Sequence, residues 1–135
     1  MKSVEEMIAR ARETITEHTP VEAQRLQLEG DAVIVDIRDV RELQREGMIP
    51  GAIHAPRGML EFWVDPQSPY HKPVFAEHRE FILQCASGWR SALSAKTLDD
   101  MGMTNTSHII GGFAAWREDG LAVETHDEWK AAAKA

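Results

Sequence analysis

The sequence predicts an α/β fold, a parallel sheet flanked by helices on both faces. Three observations carry that expectation. Ala32-Val33-Ile34-Val35-Asp36, Phe81 to Gln84 and Ser107-His108-Ile109-Ile110 are short, largely apolar runs of the kind that form strands buried on both sides. Helix-prone stretches alternate with these runs, which favours parallel pairing through crossovers. The chain has 135 residues, 43% of them hydrophobic and 27% charged, enough for one domain to bury a core without disulfide or metal support.

Taken in order, Ser3-Val4-Glu5-Glu6 fits a capping box, and Met7, Ile8, Ala11 and Ile15 recur at helical spacing, predicting a helix over 4–16. Thr19-Pro20-Val21-Glu22 repeats the start signal with proline at the first helical position, and Gly30 ends that helix. Both helices are expected only to cover the sheet or extend the domain. After the 32–36 strand, Val40 to Glu46 is helix-prone and stops at Gly47. A turn at 49–52 leads into a brief extended segment, 53–55, and then a short helix over 58–64. Three prolines between residues 65 and 73 define a loop, suited to a lid, a partner surface or a passive insertion. Beyond the 81–84 strand, a helix over 91–101 turns Ala92, Ala95, Leu98 and Met101 inward and closes at Gly102. Gly111-Gly112 opens a further helix over 113–118, and an alanine-rich helix covers 126–134.

Charge and composition narrow the function classes. A net charge of −7 gives no general footprint for nucleic acid or an anionic membrane. No run approaches the roughly 18 apolar residues of a spanning helix, and the N-terminal residues do not resemble a signal or transit peptide. A cytoplasmic protein is expected. The histidines at 18, 54, 71, 78, 108 and 126 show no HxxxH or HExxH spacing, so neither metal nor cofactor is expected.

Cys85 is the single cysteine, which excludes an internal disulfide and a CxxC pair. It stands at the carboxyl end of a strand, before a glycine turn and a helix. Ligands of parallel sheets bind beyond that edge, and the N–H groups of such a turn and first helical turn converge on one negative charge. A free thiol titrates near ~8.5, and a downward shift of about two units corresponds to roughly 2.7 kcal/mol of differential stabilisation. A buried, inert thiol is the alternative from strand and loop alone.

Three stretches resemble motifs of the rhodanese-like sulfurtransferases. Val35-Asp36-Ile37-Arg38 with Glu42 and Gly47-Met48-Ile49-Pro50-Gly51-Ala52 is similar to their opening motif. Cys85-Ala86-Ser87-Gly88-Trp89-Arg90-Ser91-Ala92 is similar to their active-site loop. Gly111-Gly112-Phe113-Ala114-Ala115-Trp116 with Gly120-Leu121 is similar to their closing motif. The likeness spans about residues 18–124, leaving 1–17 as a helical extension and 125–135 as a helical tail. Gly47-Met48 stands where the family often has Gly-His, and the 64–76 loop is longer than in minimal members.

The resemblance implies a rhodanese fold and transfer of a sulfane sulfur through a Cys85 persulfide. The donor would be a small anion such as thiosulfate, and the acceptor cyanide, a thiol or a sulfur-accepting protein. Cys85 is then the nucleophile, with Ala86, Ser87, Gly88, Trp89, Arg90 and Ser91 around the substrate. Within that loop Gly88 lets the backbone curl around the sulfur, and Trp89 forms a rim or packs outward. Ser91 donates to the sulfur or caps the helix. Arg90 holds the anionic end of the substrate or pairs with a carboxylate. Arg57, after Pro56, is a further candidate facing the site. Asp36, Arg38 and Glu42 suit structural pairing, with Arg38 and Glu42 four apart, and Trp116 suits the core.

Two rivals follow from the same residues. Cysteine phosphatases and arsenate reductases place five residues between cysteine and arginine, whereas four separate Cys85 from Arg90, a ring better sized for one sulfur atom. A persulfide-carrying relay or interaction module is the other, supported by the prolines and aromatics of residues 62–75.

Overall fold

The computed structural model describes residues 1–134; Ala135, the last residue of the expected tail, lies outside them. Five strands form one sheet in the order β1-β5-β4-β2-β3: β1 is Thr16–His18, β2 Ala32–Asp36, β3 Ile53–His54, β4 Glu80–Gln84 and β5 Thr106–Ile109. Every strand pairing within this sheet is parallel. The helices are α1 Val4–Arg12, α2 Pro20–Leu28, α3 Val40–Glu46, α4 Leu60–Val64, α5 Trp89–Asp100, α6 Gly112–Glu118 and α7 His126–Lys134.

The two-residue period of the strands divides the core into two. Val33, Val35, Phe81 and Leu83 face one side and pack with Ile8 of α1 and Ala92, Ala95 and Leu98 of α5. Ala32, Ile34, Ile82 and Ile109 face the other and pack with Ala23 of α2 and Phe113 and Trp116 of α6. Trp116 is a core anchor, with its indole N–H on the Ala122 carbonyl at 2.8 Å.

Several expectations are corrected. The first helix ends at Arg12, with only the Ser3 half of its capping box in place, and Ile15 enters the core outside it. Residues 16–18, expected within or just after that helix, form edge strand β1 against β5, so the boundary drawn between 17 and 18 falls inside a strand. Three polar residues carry no apolar signal; pairing with β5 makes them a strand. Met101 is 44% exposed, because α5 ends before it and it caps the helix instead of joining the core. Ile110 lies beyond β5 and is exposed. The 65–73 loop is pinned at its end by a single-turn 3₁₀ helix, Pro73–Ala76, that buries Phe75 against Phe81.

Candidate active site

β4 delivers Cys85 to the carboxyl edge of the sheet, where it is 1% exposed. The next residues curl back over its sulfur. The N–H of Gly88 reaches Sγ at 3.2 Å and that of Ser91 at 3.4 Å. Gly88 has φ +96°, a region that disfavours any side chain, and an added Cβ there would stand 3.1 Å from the Gly111 amide nitrogen. α5 begins immediately after, two residues earlier than expected, so one orphan donor of its first turn, the Ser91 N–H, reaches the sulfur.

The outer side of the loop is clamped by α6. The Phe113 N–H donates to the Cys85 carbonyl at 2.7 Å and the Ala114 N–H to the Ala86 carbonyl at 3.0 Å. Gly112 makes that approach possible, since a Cβ there would lie 2.4 Å from the Cys85 carbonyl oxygen. Loop carbonyls therefore point at α6 while loop N–H groups point at the sulfur. This division is what a thiolate or an incoming anion requires.

The loop side chains separate into distinct positions. Trp89 is 51% exposed at the rim. Ala86 borders a cleft of about 250 Å³ lined with Arg38, Glu42, Arg45, Phe113 and Arg117. Ser87, Gly88 and Trp89 border a smaller cleft of about 100 Å³, on whose wall lie Arg12, Glu17 and His108. Ser91 is buried in the first turn of α5 and is not the cap, which is Gly88. Its Oγ is 3.6 Å from Sγ and 2.8 Å from His108 Nδ1.

Arg90 makes a two-pronged bond to Glu42 of α3, at 2.8 and 2.9 Å. That bond, against the opposing effect of partial burial, holds the Glu42 carboxyl below its ordinary value. Glu42 therefore serves Arg90 and not Arg38. Arg38 is buried, paired with Asp36 at 2.7 Å, bonded to the Gly47 carbonyl at 2.8 Å and laid over the Phe113 ring at 4.2 Å. The Asp36–Arg38 pair fixes the end of β2 as a structural unit. Arg57 is not brought to the loop. It bonds Glu61 at 2.6 Å and lines a separate cleft with Met7, Arg10, Leu93 and Lys96.

Sequence reasoning missed Arg12, Glu17 and His108. His108 had a visible signal, a histidine inside a strand that must bury both faces. Arg12 and Glu17 had none, because their meeting with His108 depends on the register of β1 against β5. Among the described residues no group of three acidic, histidine or cysteine side chains is placed to hold a metal, and no helix is long and apolar enough to cross a membrane.

This cysteine cradle on a five-stranded parallel sheet defines a class. The rhodanese-like domain model matches residues 19–119, and the chain belongs to that family. The thiosulfate sulfurtransferase GlpE of Glaesserella parasuis is 31% identical over 83% of this chain and 95% of its own. A sulfurtransferase of Allochromatium vinosum is 30% identical over 75% and 86%. Among solved structures, a Rhodopseudomonas palustris protein described as of unknown function and a possible tyrosine phosphatase is 50% identical, with TM-score 0.88 over 92% of this chain and 96% of that one. The thiosulfate sulfurtransferase of Pseudomonas aeruginosa is 26% identical, with TM-score 0.71 over 88% of this chain and 22% of that one.

Proposed function

We propose that this protein is a sulfurtransferase that carries a sulfane sulfur on Cys85, from an anionic donor such as thiosulfate to a thiophilic acceptor. The observation that carries the reading is the pair of backbone N–H groups, from Gly88 and Ser91, aimed at a single sulfur at the carboxyl edge of the sheet. The Cys85 thiolate attacks the outer sulfur of thiosulfate. A new S–S bond forms, the donor's own S–S bond breaks, and sulfite leaves with its electron pair. Cyanide or a thiolate then takes the outer sulfur and returns Cys85 as thiolate.

Arg90 supports this reading. A cation in the first turn of a helix opposes the helix dipole, and the Glu42 carboxylate offsets that cost; held there, Arg90 is available to bind the sulfonate end of the donor. Glu42 holds it in a fork geometry. Four residues separate Cys85 from Arg90 along the loop, a spacing that fits one sulfur better than a tetrahedral phosphate.

Intact-mass measurement after incubation with thiosulfate tests the proposal. The wild-type chain gains one sulfur atom, Cys85→Ser gains none, and cyanide removes the gain. A gain that survives in Cys85→Ser, or none in wild type, would sink it. Hydrolysis of an aryl phosphate well above the Cys85→Ser control would replace it with a phosphatase.

A further inference from the structure

We propose that His108, acting through Ser91, takes up the proton of the Cys85 thiol, with Glu17 and Arg12 holding the imidazole in the tautomer that can accept it. The chain of contacts is continuous. The thiol reaches Ser91 Oγ at 3.6 Å, Ser91 Oγ reaches His108 Nδ1 at 2.8 Å, and His108 Nε2 reaches Glu17 Oε2 at 2.8 Å. Arg12 Nε bonds the same Glu17 oxygen at 2.8 Å.

The chemistry of the partners sets the direction of each bond. A carboxylate only accepts, so His108 Nε2 carries the hydrogen that faces Glu17. In a neutral ring this leaves Nδ1 as the acceptor. Ser91 has one hydrogen, and His108 Nδ1 lies nearer to it than the Gly88 carbonyl, at 3.3 Å. Its lone pairs are then free to accept from the thiol. In the transfer, the S–H bond of Cys85 breaks and an O–H bond forms on Ser91, while the original Ser91 hydrogen passes to His108 Nδ1. Cys85 is left as thiolate, and His108 as an imidazolium against the Glu17 carboxylate. No other reactant is needed, and charge is conserved.

The sheet explains why these groups meet. His108 pairs in register with Leu83 of β4 and with Glu17 of β1, so all three side chains project toward the α5 face. Cys85 and His108 are almost sealed, at 1% and 2% exposed. The Glu17 side chain is 20% exposed and borders, with His108, the small cleft beside Ser87 and Gly88. The relay therefore runs from a closed thiol to an opening.

The resting charges agree. Burial, the largest effect, pushes His108 below its ordinary value, opposed by Glu17 and helped by the nearby Arg12 guanidinium. Burial alone raises Glu17, but the bonds from Arg12 and His108 outweigh it and hold the carboxyl below its ordinary value. A neutral acceptor ring facing a charged carboxylate results. His108 reaches the thiol only through Ser91, so it is a positioning residue, as are Glu17 and Arg12. The last two precede residues 19–119, the segment that matches the family, so this chain completes its site from its own N-terminal part.

The inference rests on Cys85 being the reacting thiol, and its test does not use sulfur transfer. Alkylation of Cys85 by iodoacetamide is timed near pH 6.5 and near pH 10 in wild type, His108→Gln and Glu17→Gln. A proton acceptor matters only where the thiol is not already ionised. His108→Gln should react about ten-fold more slowly near pH 6.5, as for one unit of thiol titration, and within about two-fold of wild type near pH 10. Glu17→Gln should move the same way by less. Equal slowing at both pH values, or none at either, would overturn the relay.

A second measurement leaves His108 in place. The ¹⁵N resonance of its Nδ1 is followed against pH in wild type and Cys85→Ala. Losing the thiolate should move the imidazole midpoint to lower pH, and superimposable curves would overturn the relay. Loss of sulfur loading with the pH-selective alkylation effect intact would refute the sulfurtransferase reading alone. The reverse outcome would refute the relay alone.

Discussion

At Gly112 a single methyl group decides whether the cradle can close. Its φ is +58°, and an added Cβ would stand 2.4 Å from the Cys85 carbonyl oxygen and 2.9 Å from the Ala86 carbonyl carbon. Both are backbone atoms that cannot rotate aside. Gly112→Ala should cost about 2 kcal/mol or more, from left-handed strain plus displacement of α6 from the loop, and should lower sulfur loading as well. Urea denaturation followed by the intact-mass assay checks both. A change within about 0.5 kcal/mol would mean that α6 does not clamp the loop so closely. The glycine pair is plain in the sequence as a turn. The particular atoms it makes room for are not, since they come from residues 85 and 86, a full crossover earlier.

Between elements, the Glu42–Arg90 fork ties α3 to the start of α5. Its contribution has a definite pH sign. The folded value of Glu42 is lowered, first by the Arg90 bond, while burial opposes it. The stabilisation is therefore fully present above the unfolded value, near 4.5, and is lost as pH falls through the folded one. Arg90 is 42% exposed, so the pair should contribute no more than about 1 kcal/mol. The urea-midpoint difference between wild type and Glu42→Gln should be constant near neutrality and vanish in acid. A difference that grows on acidification would contradict the pairing. Sequence spacing offered Arg38 as the partner of Glu42, because a linear chain displays only local proximities such as i,i+4. Asp36 instead claims Arg38 inside the protein, where an unpaired guanidinium would be costly, and Glu42 is released to Arg90.

For the whole molecule, the C-terminal helix α7 is tied to the domain through Trp129, whose indole N–H donates to the Ala52 carbonyl at 2.7 Å, with His126 stacked on the ring. Trp129→Ala should lower stability by about 1–2 kcal/mol, the sum of one hydrogen bond and the apolar packing of the indole. Sulfur loading on Cys85 should persist, because the partners of Trp129, Ala52 and His126, lie outside the 85–91 loop. Thermal denaturation beside the intact-mass assay tests this, and loss of loading in a folded variant would show that α7 supports the site.

Local sequence was enough to dictate the strand–helix alternation, the two-sided burial of β2 and β4, and the place of Cys85 where a strand meets a helix. These follow from periodicity and turn chemistry, which each segment carries alone. Tertiary structure settled the rest: that Thr16–His18 pairs as an edge strand, that Arg90 is held by Glu42, and that Arg57 turns to Glu61. It also put Arg12, Glu17 and His108 in line behind Ser91. Each of these rests on strand register or on two distant segments meeting. No residue's neighbours along the chain encode such a meeting until the sheet brings the partners side by side.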